Sequence, residues 1–319
     1  MINETIRRVE KIYSMEDIFV IVNKAQKNMA YRYIDARIPR KNILIEPKMR
    51  GTAMCIFYGT LAIQKYRDDG IISVLSSDHF IEDENSFCQN IDMAIRLAYE
   101  KVCLVALGIN ITYPATRFGY IKYLQSGNDC YDVMKFIEKP NIEKVIEYQK
   151  SGQYVWNSGM FFWKTDVILS AFEKYLPKIF KYQGKLKDVI GQNNEHDVLN
   201  QIYNEIESIS IDNGILEKAD NVKMIKANFR WSDIGTLKDL FEIEKHDANN
   251  NATWGKNILG DTHNTNIYSD DGIVITLGVE NLSIIKNKNI CLVCDNQKIQ
   301  DIPMIYELLN NKSEYEEYI

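Results

Sequence analysis

The chain has 319 residues, of which 45% are hydrophobic and 26% are charged, a composition typical of a soluble globular protein with about two domains. Its 38 basic and 44 acidic residues give a formal net charge of -6, which argues against a broad nucleic-acid-binding surface. No run approaches about 18 uncharged apolar residues and the start lacks an apolar signal-peptide core, so we expect a cytoplasmic protein without a membrane span.

Short apolar runs alternate with amphipathic segments in the first half of the chain. The pattern predicts strands at 18–22, 42–46, 71–75 and 102–107, and helices from Asn3 and at 24–36, 52–66 and 83–99. Continuous apolar strands separated by helices indicate an α/β fold in which helices cover both faces of a parallel sheet. Ligands of such a doubly wound sheet bind at the carboxyl ends of the strands.

The rhythm changes after Tyr120 to strand-like pieces at 133–137 and 159–163, interleaved with helices up to 236–245. The Asn-rich stretch that follows is a linker candidate, and beyond it short strands are broken by Asp-Gly and Asn turns. The chain therefore divides into a first domain over residues 1–248 and a small all-β domain over residues 249–319.

The six cysteines and four histidines give no support to a structural zinc site or a disulfide framework. Cys291 and Cys294 form a single C-x-x-C, but the surrounding apolar residues predict a strand, in which positions three apart face opposite ways.

Two aspartates follow apolar strands or turns in a way that suits a metal-bound phosphate. Asp78 comes directly after the predicted strand 71–75, and Asp233 lies in a tight turn before a helix. Either carboxylate could equally cap the next turn or helix, and spacing alone leaves both interpretations open.

Three further polar positions are candidates for a sugar-phosphate pocket. Glu138 and Lys139 end a strand before Pro140, where a carboxylate can accept from hydroxyl groups and an ammonium can meet a phosphate. Asn157 lies among large apolar residues and needs a hydrogen-bond partner. A surface ion pair and a structural asparagine are the alternatives.

Seven segments occur in one order along the chain: EPKMRGTA (46–53), SSDHF (76–80), RFGYI (117–121), FIEKP (136–140), WNSGMFF (156–162), SIDNGILEK (210–218) and WSDIG (231–235). Together they resemble the motif series of the mannose-1-phosphate guanylyltransferases, over essentially the whole chain. The resemblance implies a mixed, mostly parallel sheet of the nucleotide-diphospho-sugar transferase type and a small C-terminal domain like a left-handed β-helix.

The resemblance also implies roles for individual residues. The positions matching the nucleotide site are Glu46, Arg50 and Thr52, together with Asp78. Asp78 and Asp233 match the pair of aspartates that bind Mg²⁺, which with Lys139 would form the catalytic set. The positions matching the sugar-phosphate site are Gly119, Glu138, Lys139, Asn157 and Asp212.

The family reaction gives GDP-mannose and pyrophosphate from GTP and mannose 1-phosphate, and supplies activated sugar for glycan or polysaccharide synthesis. The implied cofactor is Mg²⁺ and the implied assembly is a homodimer. No nucleic-acid or membrane partner is expected.

Several positions depart from the family pattern. Gly51 stands where the family has Asn, and Ala115 and Arg117 stand where it has Glu and Gly. The family's first strand and glycine-rich phosphate loop match nothing in this sequence. We therefore expect the chain as given to bind sugar nucleotide weakly and to form little or no GDP-mannose. Another hexose-1-phosphate nucleotidyltransferase, a non-catalytic sugar-nucleotide-binding subunit and a truncated gene product are the alternative interpretations.

Overall fold

The computed structural model describes residues 1–67, 70–125, 130–312 and 314–315. The chain forms two compact units, residues 1–231 and residues 232–319. The helices of the first unit are α1 (Ile2–Val9), α2 (Lys27–Tyr33), α3 (Gly51–Tyr66), α4 (Glu84–Lys101), α5 (Ile142–Ser151), α6 (Thr165–Tyr175), α7 (Pro177–Phe180), α8 (Gln183–Val189) and α9 (Glu195–Glu205). Its strands are β1 (Val20–Asn23), β2 (Ile43–Glu46), β3 (Ile71–Val74), β4 (Phe80–Ile81), β5 (Leu104–Ile109), β6 (Tyr120–Gln125), β7 (Tyr131–Ile137), β8 (Tyr154–Lys164) and β9 (Val222–Lys226), and a short β10 (Trp231–Ser232) spans the boundary between the units.

The first unit contains a mixed six-stranded sheet in the order β3-β8-β5-β9-β7-β6. Strand β5 pairs in parallel with β9, whereas β8 runs antiparallel to both β3 and β5. Strands β1 and β2 form a separate parallel pair. The sheet is thus mixed, as predicted, but antiparallel pairs outnumber parallel ones. Strand β8 runs opposite to β3, β5 and β6, and β7 runs opposite to β6 and β9.

Helices cover both faces of this sheet. Leu104 and Ala106 of β5 belong to the core under α3 and α6, while Val105 and Leu107 belong to the core under α4 and α5. All four side chains are fully buried. This alternation within a continuous apolar strand confirms the doubly wound arrangement predicted from the sequence.

The second unit begins with α10 (Leu237–Ile243), continues with strands, and ends with α11 (Ile302–Asn310). Its strands are β11 (Ala252–Trp254), β12 (Asn257–His263), β13 (Asn266–Ser269), β14 (Val274–Glu280), β15 (Leu282–Asn287) and β16 (Ile290–Asp295). β11, β13 and β15 pair successively in parallel, as do β12 and β14. Parallel pairing between successive short strands is the pattern of a β-helix.

Three asparagines stack at one corner of these coils. Asn250, Asn264 and Asn281 all have positive φ, of 60°, 43° and 62°. The Asn250 amide donates to Asn264 Oδ1 over 2.8 Å, and the Asn264 amide donates to Asn281. Asparagine tolerates left-handed backbone better than most residues, so each can close a tight turn while its side chain bonds the next coil.

The compact units of the structure divide between residues 231 and 232, and the predicted domain boundary at residue 248 stays a prediction. Phe241 of α10 packs in a small core with Ala252 and Ile299 of the second unit. The helix around 237–243 therefore lies with the β-helix-like unit in the structure. Among the described residues, no helix has the length and apolar character needed to cross a membrane.

Candidate active site

The residues predicted to hold the sugar lie together in the first unit. Asn157, in β8, accepts the Gly159 N–H on its side-chain oxygen over 3.1 Å, and its side-chain amide donates to Asp212 Oδ1 over 2.7 Å. The Asn157 backbone N–H donates to the Gly119 carbonyl over 2.8 Å. Strand pairing therefore brings Gly119 and Asn157 side by side, and the Asn157 amide fixes Asp212 beside them.

Glu138 completes this group from the end of β7. A Cβ atom added at Gly119 would lie 2.9 Å from Glu138 Oε2 and 3.4 Å from Asn157 Cβ. Only glycine leaves the Glu138 carboxylate undisturbed at this point, whereas Asn157 would be in ordinary contact with the added atom. We refer to Gly119, Glu138, Asn157 and Asp212 as the carboxylate–amide pocket.

Asp212 is the half-buried carboxylate of this pocket. Burial raises its pKa above the ordinary aspartate value, and the hydrogen bond from Asn157 acts in the opposite direction. Asp212 begins a short π-helical turn, Asp212–Leu216. Such turns are rare in proteins as a whole but occur often at functional sites, because the wider turn redirects a side chain.

Lys139 lies next to the pocket with an exposed side chain, and its Nζ is 3.5 Å from Glu138 Oε1. Its backbone has a φ of 42°, in the left-handed region that non-glycine residues seldom adopt. Backbone strain of this kind concentrates at functional sites. The neighbouring Glu138 and Lys139 thus offer an acceptor and a cation at one strand end, as the sequence predicts.

Residues 50–53, at the start of α3, contain the predicted nucleotide-binding residues Arg50 and Thr52, and we call them the nucleotide segment. This segment docks on residues 209–211. The Ile209 N–H donates to the Arg50 carbonyl and the Ala53 N–H donates to the Ile209 carbonyl, each over 3.2 Å. The Thr52 hydroxyl accepts the Ile211 N–H over 2.8 Å. Since Asp212 follows Ile211 directly, the nucleotide segment and the carboxylate–amide pocket share one stretch of backbone.

Gly51 allows the nucleotide segment to approach the backbone of Ile209 closely. Its φ is 77°, and a Cβ atom there would lie 2.3 Å from the Ile209 carbonyl oxygen. A hydrogen bond also fixes the Arg50 guanidinium, since its Nε donates to the Tyr203 carbonyl over 2.8 Å. The glycine that departs from the family motif is therefore required by the local backbone of this chain.

Glu46 is placed differently from the other nucleotide residues. Its side chain is buried, and Oε1 accepts the Tyr203 hydroxyl over 2.6 Å. Burial raises the pKa of the Glu46 carboxyl, partly offset by hydrogen bonds from Tyr203 and Cys55. Its contacts in the structure are with these interior groups, and a direct contact with the nucleotide stays a prediction.

The two predicted metal ligands lie in different units. Asp78 follows β3 with an exposed side chain, and its neighbour His79 is buried against the edge of the Trp231 ring. Asp233 is half-buried and accepts the Gly235 N–H over 3.3 Å. Within the described part of the chain, no group of three or more metal-ligating side chains comes together. Binding of one Mg²⁺ by both aspartates stays a prediction.

The Arg117 side chain contacts two aromatic residues. Its guanidinium lies 4.5 Å from the Phe118 ring centroid and donates to the Tyr113 hydroxyl over 3.1 Å. Tyr113 and Phe118 therefore hold the side chain that stands where the family has glycine.

Sequence reasoning missed the supports of the site. Tyr203 bonds both Glu46 and Arg50, although it lies more than 150 residues away in sequence. Ile209 and Ile211 act through backbone groups, so their side-chain types carry no signal of the contact. The apolar spacing of α9 could have predicted that Tyr203 is buried but not which group it would meet.

Comparison with known families identifies the chain. The family model described as nucleotidyl transferase matches residues 1–250, and the model described as MannoseP isomerase/GMP-like beta-helix domain matches residues 255–309. A mannose-1-phosphate guanylyltransferase of Salmonella montevideo is 30% identical over 99% of this chain and 68% of its own length. The chain belongs to the mannose-1-phosphate guanylyltransferase family.

Other members and solved structures agree with this assignment. A mannose-1-phosphate guanylyltransferase of Escherichia coli K12 is 31% identical over 91% of this chain and 63% of its own length. A structure from Thermus thermophilus, described as a mannose-1-phosphate geranyltransferase, covers 97% of this chain and 89% of its own with a TM-score of 0.85 and 27% identity. One described as a mannose-6-phosphate isomerase from Helicobacter pylori covers 72% and 89% with a TM-score of 0.60 and 29% identity. Family membership and the two-part fold predicted from the sequence motifs are confirmed.

Proposed function

We propose that this chain is a nucleotidyltransferase that forms GDP-mannose and pyrophosphate from GTP and mannose 1-phosphate, and so supplies activated sugar for glycan or polysaccharide synthesis. The observation that carries the proposal is the carboxylate–amide pocket, with Lys139 at its rim and the nucleotide segment docked on the backbone that leads into Asp212. This arrangement offers separate places for a polyhydroxylated ring, its phosphate and a nucleotide.

The chemistry asks the protein for positioning and positive charge. A phosphate oxygen of mannose 1-phosphate forms a bond to the α-phosphorus of GTP, while the bond from that phosphorus to the leaving pyrophosphate breaks. The attacking oxygen is already anionic, so no general base is needed. The protein must hold the two anions in line and neutralise their charge.

The pocket residues divide this work by chemical type. Asp212 and Glu138 can accept hydrogen bonds from sugar hydroxyls, and the fixed Asn157 amide keeps Asp212 oriented toward them. Lys139 is the compact cation next to the acceptor Glu138, as expected for a phosphate partner. Mg²⁺, bound by Asp78 and Asp233, would add further neutralisation of the phosphate charge.

Product analysis tests the reaction directly. The purified chain is incubated with mannose 1-phosphate, Mg²⁺ and each of GTP, ATP, UTP or CTP, and sugar nucleotide is separated by ion-exchange chromatography. We expect at most a low yield of GDP-mannose, formed with GTP and not with the other three nucleotides, and a rise in KM for mannose 1-phosphate in Glu138→Gln. Glu143→Gln, an exposed glutamate on α5, is the matched control. Product with another nucleotide or another hexose 1-phosphate would instead favour the neighbouring transferase specificity, and sugar-nucleotide binding without turnover would favour the binding-subunit alternative.

The metal role is tested by binding rather than turnover. GDP-mannose should raise the melting temperature of the parent more in Mg²⁺ than in EDTA. Asp78→Asn and Asp233→Asn should each remove most of that Mg²⁺-dependent difference, whereas the exposed control Asp188→Asn should keep it. Equal shifts in all four proteins would rule out these two aspartates as the metal ligands.

The same proposal includes a cytoplasmic homodimer that is assembled through the second unit. Ile258, Ile275 and Leu277 form an apolar stripe on β12 and β14 and are 56%, 65% and 78% exposed. Ile258 pairs in register with Ile275, and Leu277 is two residues further along the same strand. A contiguous exposed apolar stripe is the kind of surface that an interface covers.

Light scattering after size exclusion tests this assembly. We expect the parent to run at twice the monomer mass and Leu277→Glu at the monomer mass. Glu280→Lys, a charge change at the exposed end of the same strand, is the control and should remain dimeric. A monomeric parent, or a dimeric Leu277→Glu variant, would show that the stripe has no role in assembly.

A further inference from the structure

A second cavity lies in the first unit, away from the residues assigned to the reaction. Its volume is about 290 Å³, and it opens beside β2, the later turns of α3 and the start of α9. None of the residues of the carboxylate–amide pocket, and none of the predicted nucleotide or metal residues, lines it. We call it the β2 cavity.

Four cations surround the β2 cavity: Lys24, Lys27, Arg40 and Lys41. Glu195 is the acidic residue in the lining, and its carboxylate already accepts the Tyr58 hydroxyl over 2.7 Å and the Gly191 N–H over 2.9 Å. Among the described residues, the structure gives no ion pair to any of the four cations. In a chain with a net charge of -6, this is a local concentration of positive charge that attracts anions.

Aromatic rings hold two of these cations in place. The Arg40 guanidinium lies 3.5 Å from the centroid of the Tyr31 ring, and Lys41 Nζ lies 4.2 Å from that of Tyr66. A guanidinium stacked on an aromatic ring is pre-oriented and loses little freedom when it binds a ligand. The cations of the β2 cavity are therefore partly ordered before any anion arrives.

The floor of the cavity is apolar. Leu44, Ala62, Ile190 and Leu199 line it, and each is at most 6% exposed. One wall is the edge strand β2, which pairs with β1 on its other side and with no further strand in the described residues. A cavity with an apolar floor, planar groups at its wall and cations at its rim matches a molecule that has a flat ring at one end and a phosphate at the other.

We propose that the β2 cavity is a second nucleotide site, which binds a nucleoside phosphate that is not the substrate of the transfer reaction. The phosphate contacts Lys24, Lys27 and Arg40, and the base lies over the apolar floor between Tyr31 and Tyr66. The volume of about 290 Å³ lies just below the usual range of small-molecule pockets, about 300–1,000 Å³, and so suits a mononucleotide better than a larger small molecule.

Calorimetric titration with AMP tests the site, because AMP carries a base and a phosphate but no group to transfer. We expect AMP to bind the parent, and adenosine and inorganic phosphate each to bind at least about tenfold more weakly, since each lacks one half of the recognised chemistry. Adenosine as tight as AMP would show that the cations play no part. If inorganic phosphate bound with the same affinity as AMP, the cavity would be an anion site that does not recognise the base. Absence of AMP binding would overturn the proposal entirely.

Paired variants locate the binding. Lys27→Gln combined with Arg40→Gln should weaken AMP by at least about tenfold. Lys144→Gln combined with Lys150→Gln removes the same charge from exposed positions of α5 and should leave AMP affinity unchanged. Melting temperatures of both double variants check that they fold. Equal AMP affinity in the two double variants would refute the assignment of the site.

Photolabelling separates this site from the proposed active site. Irradiation with 8-azido-AMP, followed by peptide mapping, should label the peptides that carry Tyr31 or Tyr66, and the active-site variant Lys139→Gln should label equally. Label on peptides around residues 138 or 157 would place the nucleotide in the reaction site and overturn the inference. Because AMP is not a substrate, this result is independent of whether GDP-mannose is formed.

Discussion

The side-chain amide of Asn157 donates a hydrogen bond to Asp212 Oδ1 over 2.7 Å, and so joins strand β8 to a π-helical turn. This turn directly follows residues 209–211, on which the nucleotide segment docks. The bond has two effects. It orients a half-buried carboxylate beside Gly119 and Glu138, and it lowers the cost of keeping that carboxylate ionised. The pocket depends on an amide at position 157, where a carboxylate of the same shape would repel Asp212.

The variant Asn157→Asp tests this dependence. It keeps the shape but replaces the donor with a second carboxylate next to Asp212, so we expect a loss of about 1–3 kcal/mol in unfolding free energy at neutral pH. The loss should shrink between neutral and acidic pH, because a proton on one of the paired carboxyls removes the repulsion between them. Urea denaturation at neutral and acidic pH measures it, and mannose 1-phosphate should bind more weakly.

The same chemical change at Asn141 is the control. Asn141 caps α5, where its side-chain oxygen accepts the Lys144 N–H over 3.1 Å. An aspartate is an equally good cap at a helix start, so Asn141→Asp should change stability by less than about 0.5 kcal/mol. If the two variants lose the same stability, the Asn157 bond has no special role.

Neutralising Asp212 should stabilise the fold while it impairs the pocket. Burial raises the Asp212 pKa above its ordinary value of 3.8, so the ionised carboxylate is less favourable in the folded than in the unfolded chain. Below pH 3.8 both states are protonated and the penalty is absent; it is complete once the pH exceeds the raised pKa. Asp212→Asn should therefore melt at a higher temperature than the parent at pH 7–8, and the difference should fall as the pH is lowered.

Calorimetry of the parent and Asp212→Asn over a pH series gives the result, with the exposed Asp188→Asn as the control that should show no such trend. A stability gain that is absent, or that grows toward acid, would mean that Asp212 is stabilised as a carboxylate by contacts other than Asn157.

The apolar strands and the long helices could be read from sequence because each follows from a local pattern. Strand β5 and helix α3, for example, lie within two residues of their predicted bounds. The antiparallel insertion of β8 could not be predicted, since an apolar run has the same composition in either direction. Likewise, the motif order indicated Asn157 and Asp212 as pocket residues, but only tertiary structure shows that one bonds the other.

Thr52 is expected to act through Ile211 more than through the nucleotide. Thr52→Val removes the acceptor of the Ile211 N–H and should cost about 1 kcal/mol, while Thr52→Ser retains the hydroxyl and should stay close to the parent. Because Asp212 follows Ile211, the valine variant should also bind mannose 1-phosphate more weakly than the serine variant. Calorimetric binding of each variant measures this, and a loss confined to GTP would assign Thr52 to the nucleotide instead.

Gly51 and Gly152 provide a matched pair for measuring how closely the nucleotide segment docks. Both have positive φ, of 77° and 66°, so alanine is strained at either position. A Cβ at Gly152 would meet nothing within 4 Å, whereas at Gly51 it would lie 2.3 Å from the Ile209 carbonyl oxygen and 2.7 Å from its carbon.

Backbone strain alone costs about 1 kcal/mol, which is what we expect for Gly152→Ala. Gly51→Ala must in addition push residues 50–52 away from residues 209–211, so its unfolding free energy should fall by about 3 kcal/mol or more. Urea denaturation of the two variants gives the difference. Equal losses would show that the Ile209 carbonyl moves aside at little cost, and that the segment leading to Asp212 is not held by the start of α3.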